Sequence, residues 1–149
     1  MNNARLEQLR EEKDLTKKEL AQILGVSSSI YSRWENGKDI IPTKRIYQIA
    51  NYFEINIDYI LGFTNKRTKI VSNDKINMKV FATRIIEIRK DFGDTLREMA
   101  NRLKMSNSTW SGYETGKFLL LGIFLNEICK ITNYSADWIL GRTNEKYRN

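Results

Sequence analysis

Histidine is absent from this chain of 149 residues, and cysteine and proline occur once each. Without histidine, the usual general base at neutral pH and the commonest metal ligand are both missing. One cysteine supports neither an internal disulfide nor a thiolate metal cluster, which fits a reducing cytoplasm. Cys129 sits on an apolar helical stretch and reads as a small core residue rather than a reactive thiol. No apolar run approaches the roughly 18 residues of a membrane span. The opening residues MNNARLEQLREEK lack the apolar core of a signal peptide. The expectation is a soluble, cytoplasmic protein that uses no cofactor, no metal and no membrane. An enzyme is not expected, because no nucleophile–base pair or metal constellation can be assembled.

What the chain does contain is charge and a repeat. Its 41% hydrophobic content is enough for folded cores, and 25 Lys and Arg against 18 Asp and Glu leave a net charge of +7. That excess favours a polyanionic partner, although charge alone is weak evidence. It is spread evenly, with 12 basic and 9 acidic residues in 1–70 and 13 and 9 in 71–149, so neither half is a basic tail.

Shifted against itself by 79 residues, the sequence aligns without gaps from Arg5/Arg84 to Asn65/Asn144, with 19 identities in 61 positions. TKKELAQILGVSSSIYSRWENGK faces TLREMANRLKMSNSTWSGYETGK, and INIDYILGFTN faces YSADWILGRTN. Other positions exchange one apolar residue for another, such as Leu6/Ile85, Leu20/Met99 and Tyr59/Trp138. Two copies of one domain are expected, at 1–65 and 78–149, joined by the polar, charged linker 66–77.

Each copy reads as five short helices. Leu6 and Leu9, or Phe81, Ile85 and Ile88, give the first an apolar stripe. Thr16-x-x-Glu19 and Thr95-x-x-Glu98 are capping boxes, in which the hydroxyl and the carboxylate satisfy orphan backbone N–H groups. Leu20, Ile23 and Leu24 follow at helical spacing, Gly25 ends the second helix, and Ser27 caps the third, which stops at Asn36-Gly37. Pro42 opens a fourth helix carrying Ile46, Ile49, Ala50 and Phe53, and a fifth holds Ile57, Tyr59, Ile60 and Leu61 before Gly62. No alternating strand pattern is present.

A capped helix with a small residue at its centre (Ala21), a glycine turn and a serine-capped third helix form a helix-turn-helix, whose second helix fits the major groove of DNA. This stretch, continued by IPTKRIYQIANYFEINIDYILG, resembles the lambda-repressor-like helix-turn-helix family of phage repressors and bacterial regulators over nearly all of residues 4–64. Residues 80–143 resemble it more distantly. The resemblance implies an all-α fold of two tandem five-helix domains. It also implies DNA contacts at Lys17, Ser28, Ser29, Ser32 and Arg33, with Asn36 and Lys38 placed for the backbone. Arg33 suits a bidentate contact to guanine and the serines suit several bases, whereas Lys17 and Lys38 suit phosphates. The competing reading, a merely solvated polar face, is strongest for Lys38 and Lys44. Arg10 with Glu35, and Arg89 with Glu114, occupy positions that form a structural ion pair in the family. Tyr31, Trp34, Trp110 and Tyr113 read as packing residues.

The second copy keeps the frame and changes the surface. Leu96 replaces Lys17, Asn107 replaces Ser28, Gly112 replaces Arg33 and Thr115 replaces Asn36, which lowers its direct readout. Asn107, Ser108, Ser111 and Lys117 remain as possible DNA contacts. Lys104 stands where Gly25 ends a helix. Leu121, Ile123 and Phe124 replace Pro42, Lys44 and Arg45, so they form a candidate protein interface, with burial in their own domain as the alternative.

The function expected is that of a sequence-specific transcriptional regulator, a repressor of bacterial or mobile-element origin, with double-stranded DNA as partner and a homodimer as its working form. The alternative is a mobile-element inhibitor or adaptor whose second domain binds a target protein while the first regulates its own gene. The chain leaves no room for a ligand-binding or self-cleaving domain, so an inducing signal is expected to act through a partner or to be absent.

Overall fold

The computed structural model describes residues 3–148; Met1 and Asn2 of the expected first domain, and Asn149 of the second, lie outside the described residues. The described chain is all-helical. Five helices come first: α1 (Ala4–Glu12), α2 (Lys17–Leu24), α3 (Ser28–Glu35), α4 (Thr43–Phe53) and α5 (Ile57–Ile60). Five more follow: α6 (Met78–Asp91), α7 (Leu96–Arg102), α8 (Asn107–Glu114), α9 (Gly122–Ile131) and α10 (Ala136–Ile139). Helices α7 to α10 begin at 96, 107, 122 and 136, each 79 residues after α2 to α5 at 17, 28, 43 and 57. Among the described residues, no helix is long and apolar enough to cross a membrane.

Local chemistry explains the boundaries. Glu19 N donates to Thr16 Oγ1 and Thr16 N to Glu19 Oε1, both at 3.1 Å, and Thr95 with Glu98 repeats the box at 3.1 and 3.0 Å. Ser27 and Ser106 cap α3 and α8 through Ile30 N and Thr109 N. Pro42 is the cap of α4 rather than its first residue. Gly25 closes α2 with φ +75°, and Lys104 adopts the same left-handed turn with φ +58° after α7. A side chain in that region costs roughly 1 kcal/mol, so the tertiary frame imposes the turn.

The apolar stripes of both halves form one contiguous buried cluster that includes Leu6, Leu20, Ile46, Ile57, Phe81, Met99, Leu125 and Ile139. Tyr31, Trp34, Trp110 and Tyr113 are buried in it. Cys129 is fully buried, and burial pushes its thiol well up from the usual range. Of the three apolar residues at helical spacing on α2, Leu20 and Leu24 are buried and Ile23 is 43% exposed.

Residues 66–77 contain no helix and run back along the first half. Asn56 N donates to Thr68 O at 3.0 Å and Ile70 N to Glu54 O at 3.2 Å, while Tyr47 Oη and Asn51 Nδ2 donate to Asn73 O.

The halves meet through their shortest helices. Ile57 N and Asp58 N, at the start of α5, donate to the Asp137 carboxylate at 2.9 and 3.2 Å. In return, Ala136 N and Ser135 Oγ, at the start of α10, donate to Asp58 at 2.8 and 2.6 Å. Arg142 closes the cluster, with its side chain fully buried. It pairs with Asp137, donates to Ile55 O at 3.0 Å and Asn51 Oδ1 at 3.1 Å, and reaches Ile70 O and Ser72 Oγ at 3.3 Å. Nearby, Thr43 Oγ1 donates to Leu120 O, and Gly122 lies so close to Ile41 that an added Cβ would stand 2.5 Å from its carbonyl oxygen.

Burial, reinforced by the negative charge of Asp137, pushes the Asp58 carboxyl up to about 7. A group that holds its proton more tightly when folded stabilises the fold at low pH and loses that contribution as pH rises through its folded value. Stability is therefore expected to fall by about 1–3 kcal/mol between pH 5 and pH 8, at roughly 1.4 kcal/mol per pH unit while only the unfolded chain ionises. Asp58→Asn should flatten this slope, because its amide keeps an acceptor for Ala136 N without a charge. Denaturant melts of both proteins across that range, with an equally steep slope in the variant, would refute the assignment.

Candidate nucleic-acid interface

The site is built on α3 and held from behind. Arg10, near the end of α1, donates from Nε to Glu35 Oε2 at 3.0 Å and from Nη2 to Glu35 Oε1 at 2.8 Å. Its Nη1 reaches Leu15 O at 2.8 Å, and Tyr31 Oη donates to Glu35 Oε2 at 2.6 Å. One guanidinium thus ties α1, the loop before α2 and the end of α3. Burial acts to raise the Glu35 carboxyl, but the hydrogen bonds from Arg10 and Tyr31 outweigh it and hold Glu35 below the usual carboxylate range. The second half repeats the lock: Arg89 donates to Glu114 at 2.6 and 3.1 Å and to Asp94 O at 3.1 Å, and Trp110 Nε1 takes the place of the tyrosine hydroxyl. Ala21 is buried, which lets α3 cross α2 closely.

With its back face fixed, α3 turns Ser28, Ser29 and Arg33 to solvent, followed by Asn36 and Lys38 beyond its end. Lys17, at the start of α2, and Ser32 are half-buried. Asn36 Nδ2 lies 3.4 Å from Ser32 Oγ. Two features of this face escaped a reading limited to polar contacts. Ile30 is 46% exposed, one turn before Arg33, and offers an apolar surface of the kind that meets a thymine methyl. Asp39 grips Arg33 in a bidentate pair, at 2.6 Å to Nε and 3.1 Å to Nη2, with both side chains about half exposed. The pair raises the Arg33 guanidinium and lowers the Asp39 carboxyl. An acidic residue six positions downstream, just past Gly37, was the available signal.

On α8, Asn107 and Ser108 are exposed and Ser111 is half-buried, with Lys117 exposed beyond the end of the helix. Gly112 and Phe118 occupy the positions of Arg33 and Asp39. The Phe118 ring lies over the glycine so closely that an added Cβ would stand 2.4 Å from it, and Lys117 Nζ sits 5.2 Å from the ring centre. Position 112 therefore accepts no side chain while Phe118 holds this pose.

The apolar loop after α8 divides. Leu120 and Gly122 are buried, Phe124 packs against the core, and Leu121 and Ile123 stay 57% and 54% exposed. The expected patch of three thus retains two side chains facing water.

A capped helix, a left-handed turn and a second helix with an outward polar face define a helix-turn-helix protein, and a family model described as helix-turn-helix matches residues 6–60. Over 77 residues the chain is 34% identical to the HTH-type transcriptional activator BcrR of Enterococcus faecalis, covering 52% of this chain and 38% of that protein. Over 77 residues it is 32% identical to YobD, an uncharacterised HTH-type transcriptional regulator of Bacillus subtilis, covering 52% of this chain and 67% of that protein. A longer match, 28% identical over 132 residues, covers 89% of this chain and 79% of the antitoxin PezA of Streptococcus pneumoniae. No solved structure matches the chain significantly. The chain belongs to the helix-turn-helix family of DNA-binding transcription regulators.

Truncating Glu35 to alanine should destabilise the protein, by less than the about 3–5 kcal/mol of a completely buried pair, because Arg10 would lose its close counter-ion and keep only Glu11 at 4.0 Å. Glu35→Gln should cost less, since it keeps an acceptor. Urea titration followed by circular dichroism reads both, and an alanine variant as stable as the parent would contradict this role for the pair.

Proposed function

We propose that the protein is a sequence-specific repressor that occupies an operator through the outer face of α3. Ser28, Ser29, Ser32 and Arg33 contact bases, and Lys17, Asn36 and Lys38 contact the sugar-phosphate backbone. In this reading the chain has two helix-turn-helix domains, 1–65 and 78–149, with 66–77 as the connection. The observation that carries it is the exposure of Ser28, Ser29 and Arg33 on a helix locked from behind by Arg10 and Glu35, within the segment matched by the family. Repression follows from occupancy: a bound chain excludes polymerase from overlapping DNA. Arg33 must leave Asp39 to reach guanine. That exchange costs little, because exposed ion pairs contribute only about 0–1 kcal/mol. It also discriminates, since a base offering no bidentate acceptor leaves Arg33 with its carboxylate.

A second reading has its own support. The similarity to the antitoxin extends over 132 residues and so into the second half, whereas the two regulator matches span 77 residues each. In that reading the second half binds a target protein, with exposed Leu121 and Ile123 as contacts, and the first half controls the gene.

Selection of bound sequences from random DNA with the full chain tests the first reading. Arg33→Ala should weaken binding to the selected site by about 1–3 kcal/mol and relax preference at one base pair. Asp39→Asn should tighten binding to all sequences, by removing a negative charge near the phosphates. Unchanged affinity and unchanged preference in the Arg33 variant would remove α3 as the reader.

A further inference from the structure

We infer that one chain reads two unlike half-sites at once, α3 on one and α8 on the other, as an intramolecular equivalent of a two-fold dimer. This rests on the DNA-reading function proposed above. The contacts between the halves are reciprocal under the 79-residue offset. Ile57 N donates to Asp137, and Ala136 N, at the equivalent of Ile57, donates to Asp58, the equivalent of Asp137. Thr43 bonds the carbonyl of Leu120, while Gly122, at the equivalent of Thr43, abuts the carbonyl of Ile41, at the equivalent of Leu120. Contacts that pair i with j and j with i are the mark of a two-fold axis. Here the axis lies inside one chain.

Such an axis sets equivalent elements at equal height on its two sides. In this reading α3 and α8, equivalent in span and held by equivalent Arg–Glu locks, face one duplex from the two sides of the axis. Duplex DNA has dyads of its own, so two reading helices related this way match two half-sites in inverted orientation. Both helices keep a reading face: Ser28 and Ser29 on one, Asn107 and Ser108 on the other, all exposed.

The two faces ask for different bases. Arg33 suits guanine, and Asn107 suits adenine. The substitution of Gly112 and Phe118 for Arg33 and Asp39 replaces a charged fork by a half-exposed aromatic ring, a surface for a thymine methyl. The site is thus a composite, one half richer in G·C and the other in A·T. Because the halves are already joined, the second contact is intramolecular, and the complex needs no second chain.

The experiment uses the full chain. Selection from random DNA should enrich two unlike, inverted half-sites with centres about one helical turn, ~34 Å, apart. Sedimentation of the complex should give one chain per duplex. Asn107→Ala with Ser108→Ala, both exposed, should weaken binding about 5- to 100-fold and relax only the A·T-richer half, with melting unchanged. A single enriched half-site, or two identical half-sites holding two chains with the α8 variant binding as the parent does, would overturn this inference while leaving α3 as a DNA reader. No enriched sequence, with Arg33→Ala binding random DNA as the parent does, would overturn both.

Discussion

Asp58 and Asp137 each close the amino end of the helix that carries the other. A helix of four residues does not persist alone, since one or two backbone hydrogen bonds cannot offset the order they require. Buried N–H groups also need acceptors, and the first ones of α5 and α10 find theirs only across the molecule. Each helix therefore leans on the other at its amino end, with Ser135 also capping α10 from within its own half. The contiguous core and the close approach of the loops at Ile41 and Gly122 follow from this exchange. Arg142 supplies the positive charge that burial of two carboxylates demands.

Away from this centre, each half separates what must stay from what is free to change. The lock between the first and third helices is kept in chemistry, with tyrosine and tryptophan serving alike as the extra donor to the glutamate. It holds a helix whose outer face carries no packing duty. Two positions on that face have changed as a unit: Arg33 with Asp39 in one half, Gly112 with Phe118 in the other. In both, the residue after the helix bears on the residue within it, by a charge pair in one case and by ring contact in the other.

The helices were legible because their signals are local. Capping boxes at Thr16 and Thr95, the turn at Gly25 and the serine caps each act within four residues. Even Lys104 followed Gly25, since the repeat outweighed its intrinsic preference. The Arg10–Glu35 pair and its Arg89–Glu114 counterpart were marked by the family resemblance, which places an ion pair at those positions. Asp58 and Asp137 are also repeated, yet each alone looks like an ordinary acidic residue at a helix start. Nothing in one copy says that its partner lies in the other. The exposure of Ile23 was not legible, because helical spacing gives periodicity but not the width of the buried stripe. Asp39 was overlooked because a loop carboxylate beside an arginine proposed to read DNA is unfavourable for binding taken by itself, and its sense comes from the arginine it holds.

Arg142 stands where the first half has Phe63. Two first halves from separate chains, joined in the same manner, would bury a pair of Asp58 carboxylates with no guanidinium between them. Two second halves would bring two arginines to a place built for one. Unlike halves instead seat one guanidinium against Asp137 while burial holds the Asp58 carboxyl toward its neutral form, so the charge at the junction closes only while Asp58 keeps its proton.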